Sequence, residues 1–238
     1  MSKRRSGQDL NGVILRRTPN YGDVRQQGWC VFCGVHQPDS RDHVPSRVFL
    51  DDPLPEALST VPACRECNVS FSEDEEYVAC LIECAAVGSV QSINRDKIRR
   101  ILQHSPALSR RLEMAFHDQN GQLIIDAEAK RVNRVLVKLA QGHTAFDLNE
   151  PRLDEPSGVY WAPLSSLTSE VRQHFETPPE SSIMPEVGSR ASLVVEQFPG
   201  ASIWISVQQG RYRYVTSVGD QIVIRIVIGE YLAGEVIW

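Results

Sequence analysis

The chain has 238 residues, 42% of them hydrophobic and 23% charged, with a formal net charge of −5, a balance that lets a chain bury its own core without disulfide staples. Its 14 prolines and 15 glycines are spread rather than massed, which excludes a fibrous repeat and global disorder. The longest apolar run, Ile222 to Ile228, is interrupted by Arg225 and is too short to span a bilayer. Met1, Ser2, Lys3, Arg4 and Arg5 lead into polar Ser6 to Asp9 rather than an apolar segment, so a cytoplasmic protein with no membrane partner is expected.

Charge is unevenly distributed. Acidic residues outnumber basic ones before position 95 and after 138, whereas residues 95–138 carry ten basic side chains against five acidic ones. Such an island can bind a phosphate backbone locally, because screening confines the field to about 8 Å at physiological salt. Solvated helix faces would produce the same pattern.

In chain order, residues 1–28 read as an arm, and the first chemistry-bearing motif is Cys30 and Cys33, followed by Gly34. A second Cys-x-x-Cys pair stands at Cys64 and Cys67. Two such pairs complete a tetrahedral thiolate zinc site, and Gly34 suits the turn of a knuckle. Two disulfides are the competing arrangement, disfavoured by the intracellular expectation. Four thiolates leave no open position for water, so this zinc is structural. His36 reads as an exposed loop residue beside that site. Between the pairs lies Ser40-Arg41-Asp42-His43-Val44-Pro45, where adjacent Asp and His project to opposite sides of an extended strand unless the strand end bends. Pro45 starts a loop running to about Thr60. Asn68 follows the fourth cysteine directly.

With its order Cys-x-x-Cys, Asp-His-Val-Pro, Cys-x-x-Cys-Asn, the stretch 29–78 resembles the HNH endonucleases of the treble-clef, zinc-stabilised type. The resemblance implies a ββα-metal unit that clasps one catalytic divalent ion beside the structural zinc and cuts DNA. It assigns His43 as general base and Asp42 and Asn68 as ligands of the catalytic ion. The family's middle asparagine has no counterpart; Ser59 or Thr60 stands in its place.

These residue types suit phosphodiester hydrolysis. An imidazole with an unperturbed pKa near 6.5 is largely neutral at cellular pH and can take a proton from water. Oxygen ligands favour magnesium or manganese. Arg41 and Arg47 flank the imidazole and are candidate phosphate clamps.

Ser72 and Glu75 have capping-box spacing, which predicts a helix from Glu73 to about Val87. Within it, Cys80 and Cys84 read as small buried hydrophobes. Helices are further expected at 95–103, 106–116 and 127–141, the last ending at Gly142. Its apolar face is Val132, Val135, Leu136 and Leu139, with Lys130, Arg131, Arg134 and Lys138 mostly elsewhere. His104, His117 and His143 read as capping or surface residues. From about Asn149 prolines accumulate, and strands are expected at 192–198, 202–207, 211–215, 221–228 and 231–238.

The expected fold is therefore α+β: a treble-clef ββα-metal HNH unit (29–88), a basic helical middle (89–149) and an antiparallel β-rich C-terminal region (150–238). The last is a candidate surface for a protein partner or self-association. Two other classes share the cysteines: a zinc-stabilised nucleic-acid- or protein-binding module without catalysis, and a zinc-ribbon protein unrelated to nucleic acid.

Overall fold

The computed structural model describes residues 9–10, 13–14, 27–56, 58–119, 122–179, 181, 185, 189–192 and 203–238. Within these it is a mixed α+β chain. Strands β1 (Asp9–Leu10) and β2 (Val13–Ile14) form a short hairpin. Strands β3 (Ser40–Val44) and β4 (Ser59–Ala63) pair antiparallel, with His43 opposite Thr60 and Asp42 opposite Val61.

Helix α1 (Arg65–Val87) follows β4 almost directly. It begins eight residues before the predicted start, because Cys64, not Ser72, occupies the N-cap: the Cys67 N–H donates to Cys64 Sγ at 3.4 Å. Asp39 Oδ1 accepts from the Arg65 N–H at 2.6 Å, satisfying another free amide of the first turn. Ser72 lies inside the helix and donates to the Asn68 carbonyl, so there is no capping box at Ser72. Gly88, at φ 70°, ends α1 in the left-handed region that glycine adopts freely.

Helices α2 (Asp96–His104) and α3 (Pro106–Ala115) fall close to their predicted bounds. A small hairpin of β5 (Phe116–Gln119) and β6 (Gln122–Ile125) follows. Helix α4 (Ala129–Asp147) runs past Gly142 rather than stopping there. The reason is packing: a Cβ at Gly142 would stand 2.8 Å from Val44 Cγ2, so glycine allows α4 to approach β3.

The C-terminal sheet has the order β7 (Gly158–Pro163), β11 (Leu232–Ile237), β10 (Ile222–Ile228), β9 (Tyr212–Val218) and β8 (Ile205–Gln208), and its pairings are antiparallel. Strand β7 adds to the strands expected from the sequence; Pro151 and Pro156 before it and Pro163 at its end mask the pattern. The predicted strand at 192–198 lies largely outside the described residues.

Both faces of β10 are covered, which explains its nearly continuous apolar run. Ile222, Ile224, Ile226 and Ile228 join the main core with Leu136, Leu139, Cys80 and Tyr77, while Val227 packs with Leu164 and Phe175 on the other side. Burying a side chain of this size stabilises by about 1.5–3 kcal/mol. Phe175 belongs to helix α5 (Ser169–Glu176). The buried Arg225 donates to the carbonyls of His174, Phe175 and Thr177, satisfying the end of α5, and pairs with Glu235 at 2.5 Å. The main core draws on residues from Phe49 to Val236, so the hairpin loop, the helices and the sheet share one interior. No helix among the described residues is long and apolar enough to cross a membrane.

Candidate functional site

The four paired cysteines converge. Ligand atoms of Cys30, Cys33, Cys64 and Cys67 all lie within 4.8 Å of one another, an arrangement able to hold one zinc ion with Zn–S bonds of about 2.3 Å. The chain folds this way locally for identifiable reasons. Gly34, at φ 69°, closes a turn in which its N–H donates to the Cys30 carbonyl at 2.8 Å, and the Cys30 N–H donates to the His36 carbonyl at 2.9 Å. The Val31 N–H donates to the Pro62 carbonyl at 3.1 Å and ties this knuckle to β4. The second pair sits at the start of α1. Burial pushes the Cys33 thiol up, but N–H groups of His36 and Val35 and the thiols of Cys30 and Cys67 pull it down to about 6. Burial holds Cys67 above the ordinary thiol range, the polarisation of a sulfur cluster sharing protons. His36 is exposed beside Glu66, as expected for a loop residue.

Asp42 and His43 alternate across β3. Asp42 points inward and is 6% exposed; His43 is half-buried on the opposite face, with Arg41. Burial lowers the His43 pKa, and the nearby charges of Arg47 and Lys138 lower it further, which favours the neutral imidazole. Arg41 donates through Nε to Thr60 Oγ1 at 2.9 Å, and the Arg47 side chain is exposed.

The inward side of β3 holds a polar cage that the sequence did not announce. Lys138 of α4, 2% exposed along its side chain, places Nζ 2.5 Å from Asp42 Oδ2 and 2.6 Å from Glu75 Oε1, and donates to Ser46 Oγ at 2.6 Å. The Ser46 hydroxyl in turn donates to Glu75 Oε1 at 2.5 Å. The approach to Asp42 is an ion pair whose angle lies outside hydrogen-bond geometry. Rings of Phe32 and Phe71 stand 5.7 and 5.9 Å from the ammonium. Burial pushes the Asp42 carboxyl up against the pull of Lys138, while Asp42 and Glu75 outweigh burial and keep Lys138 protonated.

Asn68 lies in the first turn of α1. Its Nδ2 donates to Ser40 Oγ at 3.3 Å and to the Arg41 carbonyl at 3.4 Å, docking the helix on β3. Glu75 is two turns further along the same helix and faces Lys138.

The family resemblance implies a divalent ion between Asp42 and Asn68. The donor set does not fit one. The misfit lies at Asp42, whose carboxylate is already neutralised by an ammonium enclosed with three oxygens; Asn68 donates its amide nitrogen to the strand, which leaves its Oδ1 unused by that contact.

The basic island is also largely committed within the chain. Arg95 pairs with Asp51 and Glu83, Lys97 with Asp52, Arg99 with Asp96, Arg111 with Glu128, and Arg131 and Arg134 with Asp74. Lys138, expected mostly away from the apolar face of α4, is on the buried side. The signal was present: it stands three residues after Val135 and four before Gly142, both buried. His143, read as a surface or capping residue, is 1% exposed and belongs to a buried network with Asp147, Tyr212 and Tyr214.

Comparison with protein-family models, with curated proteins and with solved structures finds no match.

Proposed function

We propose that the chain is a zinc-stapled endonuclease of the HNH type, acting on the phosphodiester backbone of DNA. The observation that supports this reading best is the placement of His43: a half-buried imidazole on the outer face of a hairpin whose partner helix starts at the four-cysteine site, with burial favouring its neutral form. Such a group can accept a proton from an attacking water, a contribution of typically about 10²–10⁴-fold. Arg47 and Arg41, on either side in sequence, are the charges nearest in the chain for gripping phosphate oxygens. The zinc fixes the turn on which the hairpin and helix meet, and takes no part in the chemistry.

Plasmid, single-stranded DNA and RNA incubated in magnesium buffer with the zinc-loaded wild type and with His43→Ala test the proposal. The wild type is expected to cut DNA and the variant to lose about two orders of magnitude or more. Equal cutting by both removes His43 from the reaction.

A second reading, a module that binds nucleic acid without cutting it, is favoured by one observation: the Asp42 carboxylate is held by Lys138. It predicts retention of labelled DNA by both proteins and cleavage by neither.

A further inference from the structure

We propose that the Lys138 ammonium is the resident cation of the pocket formed by Asp42, Ser46 and Glu75, and that the folded chain holds no divalent ion at Asp42. Three strands of argument meet there. The first is occupancy: Nζ has oxygens of Asp42, Glu75 and Ser46 within 2.6 Å, a hydrogen bond to Ser46 and close ion pairs to the two carboxylates, so the ammonium already fills the space between them. A magnesium or manganese ion needs six oxygens at about 2.1 Å and keeps several waters, so it cannot share this space with Nζ.

The second is charge. Two carboxylates from different elements, β3 and α1, face one ammonium from α4, and Phe32 and Phe71 enclose it on further sides. Removing the ammonium would leave two buried anions side by side, a strongly unfavourable state unless another cation enters.

The third is leverage. Lys138 Nζ joins the hairpin, the first helix and the fourth helix at one point, and Gly142, one turn later on α4, touches Val44 of the same strand. Lys138 is thus a positioning residue: it holds β3 in place from the face opposite His43.

Manganese is the probe. Zinc-loaded wild type, Asp42→Asn and Lys138→Gln are titrated with Mn²⁺ and followed by electron paramagnetic resonance, with zinc content and circular dichroism recorded on each. The wild type is expected to show no Mn²⁺ binding that Asp42→Asn abolishes. Lys138→Gln is expected to raise Mn²⁺ affinity by about tenfold or more, because the two carboxylates are then uncompensated. One Mn²⁺ per wild-type chain, lost in Asp42→Asn, overturns the proposal, and this arm does not depend on the Lys138 variant folding.

A second measurement on the wild type alone uses the lysine side-chain ¹⁵N spectrum. A slowly exchanging ammonium signal that Mn²⁺ leaves sharp is expected; selective broadening of that signal by Mn²⁺ at low occupancy overturns the proposal. The cleavage experiment is separate in its readout: absence of cutting leaves the manganese result untouched, and a bound manganese leaves the role of His43 untouched.

Discussion

At the scale of single residues, His143 shows how burial converts a titratable group into a pH-dependent support. Its Nδ1 stands 3.1 Å from Asp147 Oδ2 and its Nε2 2.8 Å from the Tyr212 hydroxyl, while Tyr214 donates to Asp147 Oδ1 at 2.9 Å and stacks on the imidazole at 3.6 Å. Burial lowers the His143 pKa; Asp147 opposes that shift, and Arg190 and Lys138 add to it. The folded state therefore binds fewer protons than the unfolded state below the ordinary histidine pKa of about 6.5. Stability is fully present above that value and is lost as pH falls through the range below it. Urea midpoints measured at successive pH values are expected to fall from pH 7.5 to 5.5 in the wild type. His43 shifts in the same direction, so the comparison that isolates His143 is His143→Gln, whose midpoint should change less over that interval. An equal pH slope in both proteins would show that His143 does not carry the effect.

The thiols and Lys138 differ at this scale in how readable they were. Cys30, Cys33, Cys64 and Cys67 declare themselves because ligand spacing is a local property of the chain. Asp42 and Lys138 are 96 positions apart in the numbering, and nothing near Asp42 announces an ammonium. His143 was misread for the same reason: its partners Tyr212 and Tyr214 arrive from the far sheet.

At the scale of elements, the two ends of the hairpin are secured by different means. One end is fixed by sulfur: Cys64 both caps α1 and belongs to the four-thiol site. Cys64→Ser is expected to lower zinc content and melting temperature together, since structural zinc contributes about 10–16 kcal/mol in finger peptides. Retained zinc stoichiometry with an unchanged melting curve would contradict the zinc assignment. The other end is fixed by close packing of α4. Gly142→Ala inserts a methyl 2.8 Å from Val44 Cγ2, and overpacking of this kind costs about 1–3 kcal/mol. Val44→Ala removes the opposing methyls, so the double variant should regain part of the loss in chemical denaturation; strictly additive losses would mean that the two do not touch.

Helix bounds were readable where punctuation is local, as at Pro106 for α3 and Gly88 after α1. They were misread where a residue serves packing. Gly142 looks like a stop and is a docking point; Ser72 looks like a cap and lies inside a helix. Strand β7 was hidden by prolines, yet it finds its place by pairing with β11, where Pro163 meets Leu232 at the edge of the sheet.

At the scale of the whole molecule, the basic island has a different meaning from the one its composition suggests. Seven of its ten cations pair with acidic residues of the chain itself, and the acids they meet include Asp42, Asp51, Asp74, Glu75 and Glu83 from the earlier acidic stretch. The alternation of acidic and basic stretches is thus largely internal complementarity, with Arg100, Arg110 and Lys130 as the island's cations without an ion pair among the described residues. The charge pattern was visible in the sequence, whereas its pairing depends on how α4 crosses α1 and the sheet.

Arg211 of the segment leading into β9 completes the pattern by reaching Asp51 and Glu83, the same acids that Arg95 holds. A peptide excised as residues 29–88 would keep all four sulfurs yet surrender every one of these counter-charges, since each cation is encoded downstream. Metal uptake by such a peptide would say little about the intact hairpin: its acids would repel one another, Asp42 would drift towards water, and manganese would meet bare carboxylates that in the folded chain face Lys138.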